Sequence, residues 1–285
     1  MQLLREVDGN SDKTPLLASK LRPPRLRKVL ARSRLLSRAE LGAGLKLVNI
    51  CAGPGFGKTT LMAQIAQSFE GHGVWYQVDN LDCDASFFIR HLVSGVTHAC
   101  DLNAVRINSR INETSDFIRE GENILAILLD ELGQQVRKPL LICFDDFHLF
   151  DKASQAPRLV EYLVRNLPEN LSMIIASRVA PTLALGHLRA QGAVCDFGEK
   201  DLKFSLDELS GLLDQWKIES SASVLHQAYT STEGWAAGLV LTESCLRSGN
   251  EAPHLFKKRH MQQAVYEYLA EEVLNNQTAE TRELL

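Results

Sequence analysis

The sequence predicts an α/β fold, in which a parallel sheet is flanked by helices and followed by a small all-helical domain. Before residue 204, short apolar runs rich in β-branched residues alternate with longer stretches of helical periodicity. One of these runs leads through a glycine-rich turn into an amphipathic helix, and another ends in two adjacent aspartates. This alternation is typical of a parallel sheet whose two faces are covered by helices.

Strands are expected where apolar residues run continuously, because a strand buried on both faces has no polar side. These runs occupy residues 45–51, 74–78, 140–144 and 172–176. Between the first two runs, Leu61, Ile65 and Phe69 form one apolar stripe at helical spacing. Ser205 and Glu208 have the spacing of a capping box, which begins a helix with Leu209, Leu212, Leu213 and Trp216 facing inward. Further helical periods cover residues 224–229, 235–246 and 261–274.

These patterns divide the chain into three parts. Residues 1–14 mix glycine with polar and charged residues, without apolar periodicity, and are predicted to form a disordered leader. Residues 15–204 form the α/β domain, and residues 205–285 form the helical domain. Because residues 278–285 begin another helix without a stop signal, we expect the chain to be truncated at the start of a further domain.

Composition excludes several classes of protein. The chain has 31 basic and 35 acidic residues, a net charge of -4, which argues against a polycationic nucleic-acid binder. Its six cysteines contain no Cys-x-x-Cys pair of the kind that builds zinc or redox sites. The sequence has no signal peptide and no apolar run near the roughly 18 residues of a membrane span, so we expect a cytoplasmic protein without membrane contact.

Residues 52–59 have the spacing of a phosphate-binding loop (P-loop), with alanine where the strict pattern has its first glycine. Gly55 and Gly57 allow successive backbone N–H groups to turn inward, and a helix that begins at Lys58 adds the positive end of its dipole. We therefore predict a nucleotide site formed by Gly53, Pro54, Gly55, Phe56, Gly57, Lys58, Thr59 and Thr60. The alternative is a strand-to-helix turn that binds no ligand.

Catalytic roles follow from the side chains at this loop and at the strand ends. Lys58 should bind the β- and γ-phosphates, the Thr59 hydroxyl should bind Mg²⁺, and the Thr60 backbone N–H should bind the α-phosphate. Asp145 is the predicted Mg²⁺ partner through water, and Asp146 is predicted to orient or deprotonate the attacking water. The alternative for both aspartates is a solvated turn after the strand.

Arg178 follows the fourth apolar run, at the sheet edge where open α/β sheets bind ligands. We predict that it senses the γ-phosphate, with a surface ion pair as the alternative. The segment 20–38 is strongly basic with interleaved leucines, so it should pack through the leucines and keep its charges outside. Structural roles are expected for His148, Trp75, Tyr76, Asp79 and Asp82.

Taken together, these residues make the chain similar to the N-terminal ATPase module of the MalT-like large ATP-binding LuxR-type transcription regulators. These regulators belong to the signal-transduction ATPases called STAND. The resemblance spans nearly the whole chain and rests on Lys20-Leu-x-Pro-Pro24, Arg32-Ser-Arg-Leu-Leu36, the P-loop, Trp75-Tyr76, Asp145-Asp146-Phe-His148, Ser177-Arg178, Leu202-x-Phe204 and Gly234-Trp-Ala-x-Gly-Leu239.

The resemblance implies further roles. Leu30 and Arg32 would contact adenine, so the basic segment would cover the nucleotide. Residues 234–239 stand where related switch proteins have a Gly-x-Pro motif near adenine, but proline is absent here and Trp235 is expected to pack in a core. Family members are switches: ADP holds an inactive arrangement, and ATP with an inducer permits self-association and transcription activation.

In that family, slow Mg²⁺-dependent hydrolysis resets the state, and inducer and DNA bind C-terminal domains that this chain lacks. Two other classes of function stay open at this point. One is a P-loop ATPase or kinase that acts on a separate substrate, which would need an acceptor pocket and a mobile lid. The other is a nucleotide-binding scaffold that has lost hydrolysis, which Ala52 and an Asp at position 146 leave open.

Overall fold

Five parallel strands form one sheet in the computed structural model, which describes residues 18–26, 29–41, 44–218 and 221–247. The strands are β1 (Leu47–Cys51), β2 (His72–Gln77), β3 (Leu140–Asp145), β4 (Leu171–Ser177) and β5 (Val194–Phe197). Their order across the sheet is β2-β3-β4-β1-β5, and every neighbouring pair is parallel. The carboxyl ends of β1, β4 and β3 therefore lie side by side along one edge.

Helices connect the strands and cover both faces of the sheet. They are α1 (Ser33–Arg38), α2 (Lys58–Ser68), α3 (Ala85–Cys100), α4 (Val105–Glu113), α5 (Phe117–Gln135), α6 (Ala156–Arg165), α7 (Gly186–Ala190), α8 (Glu199–Leu202), α9 (Leu206–Gln215), α10 (Ala222–Thr232) and α11 (Ala236–Arg247). The predicted α/β class and the four predicted strands are confirmed. The predicted leader and the helical patterns after residue 247 lie outside the described residues.

Alternate residues of each strand enter opposite cores. Val74 and Tyr76 of β2 pack with α3, α5 and α6 on one face, whereas Trp75 packs with α1 and α2 on the other. The expected core roles of Trp75 and Tyr76 are confirmed, since both side chains are buried. Two hydrophobic cores, one on the α2 side and one on the α3 side, thus hold the sheet edge rigidly.

We use the name helical region for α9, α10 and α11. Its own core consists of Leu209, Leu212, Leu213, Trp216, Ala228 and Leu239. Ser205 and Glu208 form the predicted capping box at the start of α9, with the Ser205 Oγ accepting from the Glu208 backbone N–H at 3.1 Å. The predicted inward orientation is confirmed, since Leu209, Leu212, Leu213 and Trp216 are all buried. The domain boundary at 204/205 stays a prediction.

Strand β5 is not predicted by the sequence patterns. It has only four residues, lies at the edge of the sheet beside β1, and is half-exposed with Asp196 in its middle. The Asp196 carboxylate accepts two hydrogen bonds from Arg189, both at 2.9 Å, and one from Asn49 at 2.8 Å. A short edge strand that carries a paired carboxylate has no continuous apolar run, and its signal is therefore too weak to detect.

The expectation that the basic segment keeps its charges outside is wrong for two of its residues. Lys20 is buried, with its Nζ 2.6 Å from Asp82 Oδ2 and 2.7 Å from Asp79 Oδ2. Arg32 is also buried and is paired with Glu208. Buried charges need partners because desolvation is costly, and these partners lie far away in the sequence. Both aspartates have the structural role expected of them, as the capping box of the 3₁₀ turn Asn80–Cys83.

No helix among the described residues has the length and apolar character needed to cross a bilayer.

Candidate functional site

The P-loop connects β1 to α2 along the carboxyl edge of the sheet. Gly55 and Gly57 have φ angles of 74° and 78°, a left-handed conformation that favours glycine. Gly57 is the N-cap of α2 and offers no side chain to its first N–H groups. Those groups and the positive end of the helix dipole are therefore directed at one place, which is the physical basis of an anion site.

Lys58 is buried at the start of α2, and its Nζ donates to the Gly53 carbonyl at 2.8 Å. Burial lowers the pKa of this lysine, and the nearby Arg178 guanidinium lowers it further, while Asp146 and Asp145 act in the opposite direction. The predicted sensor Arg178, which directly follows β4, thus lies close enough to Lys58 to affect its charge. Two neighbouring cations that are partly shielded from solvent favour binding of a multivalent anion.

Thr59 and Asp145, the two predicted metal ligands, are in contact. The Thr59 side chain donates a hydrogen bond to the Asp145 carboxylate, and the Asp146 backbone N–H donates to Asp145 Oδ1 at 3.0 Å. Asp145 is 1% exposed, and burial, followed by the neighbouring Asp146, raises its pKa to about 6. A hydroxyl beside a carboxylate is a donor set that suits Mg²⁺, which keeps several of its ligands as water or phosphate oxygens.

No cluster of three or more His, Cys, Asp or Glu side chains suited to a metal occurs within the described part of the chain. A cation at this place would consequently depend on a bound phosphate for the rest of its ligands. The residues present fit Mg²⁺ delivered with a nucleotide, and they do not fit a resident metal such as zinc.

Asp146 is held in a left-handed conformation, with φ of 52°, directly after β3. Gln77, the last residue of β2, donates from Nε2 to Asp146 Oδ2 at 2.7 Å. His148 Nδ1 lies 3.9 Å from Asp146 Oδ1, and its structural role stays a prediction. Gln77 therefore fixes the direction of the predicted catalytic carboxylate, a role that the sequence pattern did not reveal.

Replacing Gln77 with leucine is expected to reduce ATP turnover about 10-fold, because a misdirected base loses much of its effect. Nucleotide affinity should change less than about twofold, since Gln77 does not belong to the P-loop. Phosphate release and calorimetric titration with ATP would measure the two quantities. Gln67→Leu, on the exposed face of α2, is the matched control. Weaker ATP binding with unchanged turnover would contradict the assigned role of Gln77.

A cavity of about 420 Å³ opens beside the P-loop, between the α/β part and the helical region. Its walls are mostly apolar, and Leu30 and Arg32, the two predicted adenine contacts, both line it. The other lining residues include Phe56, Thr60, Phe204, Leu212, Trp216 and Val240. Gln64 of α2 donates to the Leu30 carbonyl at 2.7 Å and so ties the covering segment to the P-loop helix. Its position and lining suit a flat aromatic base next to the phosphate cradle.

The Arg32 guanidinium is fully engaged inside the protein. It donates to the carbonyls of Leu202 and Lys203 at 2.7 and 2.8 Å and pairs with Glu208 Oε2 at 2.9 Å. Its carbon Cζ lies 4.2 Å from the centre of the Phe204 ring. Contact between Arg32 and adenine stays a prediction, and it would involve the aliphatic or backbone atoms of Arg32.

Two side chains from beyond β5 also contact the P-loop, and the sequence did not single out either contact. Glu199, at the start of α8, accepts from the Gly53 backbone N–H at 3.0 Å. Trp235, at the start of α11, donates from Nε1 to the Pro54 carbonyl at 3.2 Å. The expectation that Trp235 packs only in a core is therefore incomplete, because its polar atom reaches the phosphate loop.

Comparison with known sequences gives relatives that include a protein kinase and a transcriptional regulator. The chain is 30% identical over 278 residues to the serine/threonine-protein kinase PknK of Mycobacterium tuberculosis, covering 95% of this chain and 25% of that protein. It is 30% identical over 281 residues to the HTH-type transcriptional regulator MalT of Serratia proteamaculans, covering 95% of this chain and 30% of that protein. The chain thus spans less than a third of the length of these relatives. No family model matches it.

Solved structures with a similar fold include two ATPases. A STAND protein with a tetratricopeptide repeat sensor from Pyrococcus horikoshii aligns over 92% of this chain and 34% of its own, at 20% identity and a TM-score of 0.59. A Walker-type ATPase of Pyrococcus abyssi aligns over 89% of this chain and 77% of its own, at 15% identity and a TM-score of 0.56. At these identities the likeness concerns the fold. The predicted resemblance to the MalT-like regulators is confirmed by the similarity in sequence to MalT.

Proposed function

We propose that this chain is an ATP/ADP-binding switch module of a bacterial transcription activator, with slow Mg²⁺-dependent ATP hydrolysis that resets the switch. The observation that carries the proposal is the contact between the Thr59 hydroxyl and the buried Asp145 carboxylate, beside Lys58. These groups come from two elements, α2 and β3, which meet at one sheet edge. A turn that binds no ligand would not require a buried carboxylate and a buried ammonium at this sheet edge.

In this proposal the P-loop N–H groups and Lys58 bind the phosphates, and the cavity beside Leu30 takes the base. Thr59 and Asp145 would hold Mg²⁺, which when bound with ATP neutralises phosphate charge. Asp146, directed by Gln77, accepts a proton from the attacking water. Arg178 stabilises negative charge that develops on the γ-phosphate, and its contact with that group distinguishes ATP from ADP.

The two kinds of relative support a regulatory role for the shared segment. One is named a protein kinase and the other a transcriptional regulator, so the segment common to both is proposed to control an output that other segments perform. By the same argument, inducer and DNA would bind elsewhere in a LuxR-type, cytoplasmic full-length protein. Self-association of the ATP-bound form is part of the proposal. A switch of this kind needs different ATP and ADP affinities in its two arrangements.

The proposal predicts that freshly purified protein retains ADP or ATP and hydrolyses ATP slowly in the presence of Mg²⁺. Denaturation followed by chromatography of the released nucleotide tests the first part, and phosphate release with and without Mg²⁺ tests the second. Rapid turnover stimulated by an added acceptor would favour an enzyme with its own substrate. Binding without turnover would favour a scaffold, and no binding at millimolar MgATP would overturn the proposal altogether.

A further inference from the structure

The start of α11 rests directly on the P-loop through two hydrogen bonds. Trp235 Nε1 donates to the Pro54 carbonyl at 3.2 Å, and the Ala237 backbone N–H donates to the Gly55 carbonyl at 2.9 Å. We call residues 235–237 the strap. Since Ala237 lies in the first turn of α11, its N–H has no partner inside its own helix. The P-loop carbonyl supplies that partner, and so it caps α11.

The approach is closer than any residue other than glycine would permit at position 55. A Cβ atom there would lie 2.7 Å from the Ala237 Cβ and 2.8 Å from the Trp235 Cζ2. Gly55 therefore meets two independent requirements, a left-handed φ angle and close contact with the strap. The pattern of a phosphate loop explains only the first of them.

The strap contacts the P-loop through carbonyl groups, on the side opposite to the one that the backbone N–H groups of the loop face. A trans peptide is planar, with its carbonyl and N–H pointing in opposite directions, and no cis peptide occurs in the described residues. Fixing the Pro54 carbonyl therefore fixes the Gly55 N–H, and fixing the Gly55 carbonyl fixes the Phe56 N–H. These N–H groups then point away from the strap and toward the concave, anion-binding side of the loop.

The strap is itself anchored to the segment that covers the base cavity. Gly234, with φ of 75°, accepts from the Phe204 N–H at 2.8 Å, and a Cβ at Gly234 would lie 2.5 Å from the Phe204 carbonyl oxygen. The Phe204 ring in turn lies against the Arg32 guanidinium. The P-loop, the strap and the covering segment consequently form one connected set of contacts around the cavity.

We propose that Trp235 is a positioning residue, which holds the phosphate-binding N–H groups in place and couples nucleotide binding to docking of the helical region. The inference rests on the proposed function, because it concerns the same nucleotide site. Coupling is reciprocal: if docking strengthens nucleotide binding, nucleotide binding strengthens docking by the same factor. Docking of the helical region thereby depends on whether the P-loop is organised around phosphates.

Trp235→Phe tests this, since it removes the Nε1 donor and keeps an aromatic ring. MgADP affinity is expected to fall about 5- to 10-fold, the effect of one lost hydrogen bond to a neutral acceptor. Backbone amides of α11 should exchange hydrogen faster than in wild type, and MgADP should restore less protection. Ala237→Pro removes the other donor in the first turn of α11, where the N–H makes no bond within the helix, and should act in the same direction.

Trp75→Phe provides the matched control, because Trp75 is buried on β2, which β3 and β4 separate from the strand that leads into the P-loop. The inference is overturned if wild type binds MgADP and Trp235→Phe binds it equally well with unchanged α11 exchange. Equal losses in Trp235→Phe and Trp75→Phe would also overturn it, since they indicate general destabilisation. A wild-type protein that fails to bind MgADP would instead refute the proposed function.

Discussion

Replacing Lys58 with alanine is expected to weaken ATP and ADP binding by about 10- to 150-fold, the effect of losing a charge-assisted contact to phosphate. ATP turnover should fall by at least about 100-fold, because the same ammonium also stabilises charge in the transition state. The side chain is buried, its pKa is lowered by that burial, and it adjoins Arg178. Calorimetric titration and phosphate release measure the two effects.

Lys58→Met is the matched variant, because it keeps the aliphatic length and removes only the ammonium. Both variants lose the hydrogen bond to the Gly53 carbonyl, and both remove a cation whose burial is unfavourable. Thermal unfolding without nucleotide should therefore occur at the wild-type temperature or slightly above it. A Lys58→Met protein that binds ATP as tightly as wild type would show that the loop does not recognise phosphate through this lysine.

The parts of the site that the sequence predicted are local in the chain. The P-loop needs eight neighbouring residues at fixed spacing, and Asp145–Asp146 needs only an apolar run that ends in carboxylates. Both patterns encode their chemistry over less than ten residues, so strand, turn and helix signals can be read directly. The fold class follows for the same reason, from the alternation of short apolar runs and helical periods.

The missed parts depend on contacts across long sequence separations. Glu199 and Gly53 are 146 positions apart, Trp235 and Pro54 are 181 apart, and Gln77 is 69 positions from Asp146. No local pattern states that β2 lies beside β3, which is what brings Gln77 to Asp146. The outward orientation expected for Arg32 was wrong for the same reason, because its partner Glu208 lies 176 positions away.

Asp145→Asn is expected to stabilise the protein in the absence of nucleotide and Mg²⁺ while abolishing Mg²⁺-dependent hydrolysis. Burial and Asp146 raise the pKa of Asp145 to about 6, above the 3.8 of an ordinary aspartate. The folded state therefore holds this proton more tightly than the unfolded state. The stabilisation from the protonated carboxyl is complete below about pH 4 and is lost as pH rises through about 6.

At pH 7 the ionised carboxylate lowers the free energy of unfolding by about 2–3 kcal/mol relative to an unshifted group. Asparagine keeps an acceptor for the Asp146 N–H and cannot ionise, so the variant avoids this loss. Its melting temperature should exceed that of wild type by about 4–10 °C at pH 7, and the difference should vanish near pH 4. Circular dichroism melts between pH 4 and pH 8, without nucleotide or Mg²⁺, measure it.

Asp82→Asn is the control with the opposite expected sign. Asp82 is as buried as Asp145, but it is paired with Lys20 and accepts from the Tyr76 hydroxyl at 2.6 Å. Neutralising it leaves a buried ammonium with a weaker partner and should lower the melting temperature. Two results would contradict an unfavourable charge at Asp145. One is a lower melting temperature in both variants, and the other is a melting-temperature difference between wild type and Asp145→Asn that does not depend on pH.

Adding MgADP should reverse the order of stability between wild type and Asp145→Asn. The wild-type carboxylate then gains a cation partner, so ligand binding should raise its melting temperature more than that of the variant. Such a reversal follows only if the buried charge is unfavourable by itself and favourable with the cation. A Mg²⁺-nucleotide site requires a carboxylate beside the Thr59 hydroxyl, even though that carboxylate lowers the stability of the protein without ligand. A strand end with a purely structural role would not require such a carboxylate.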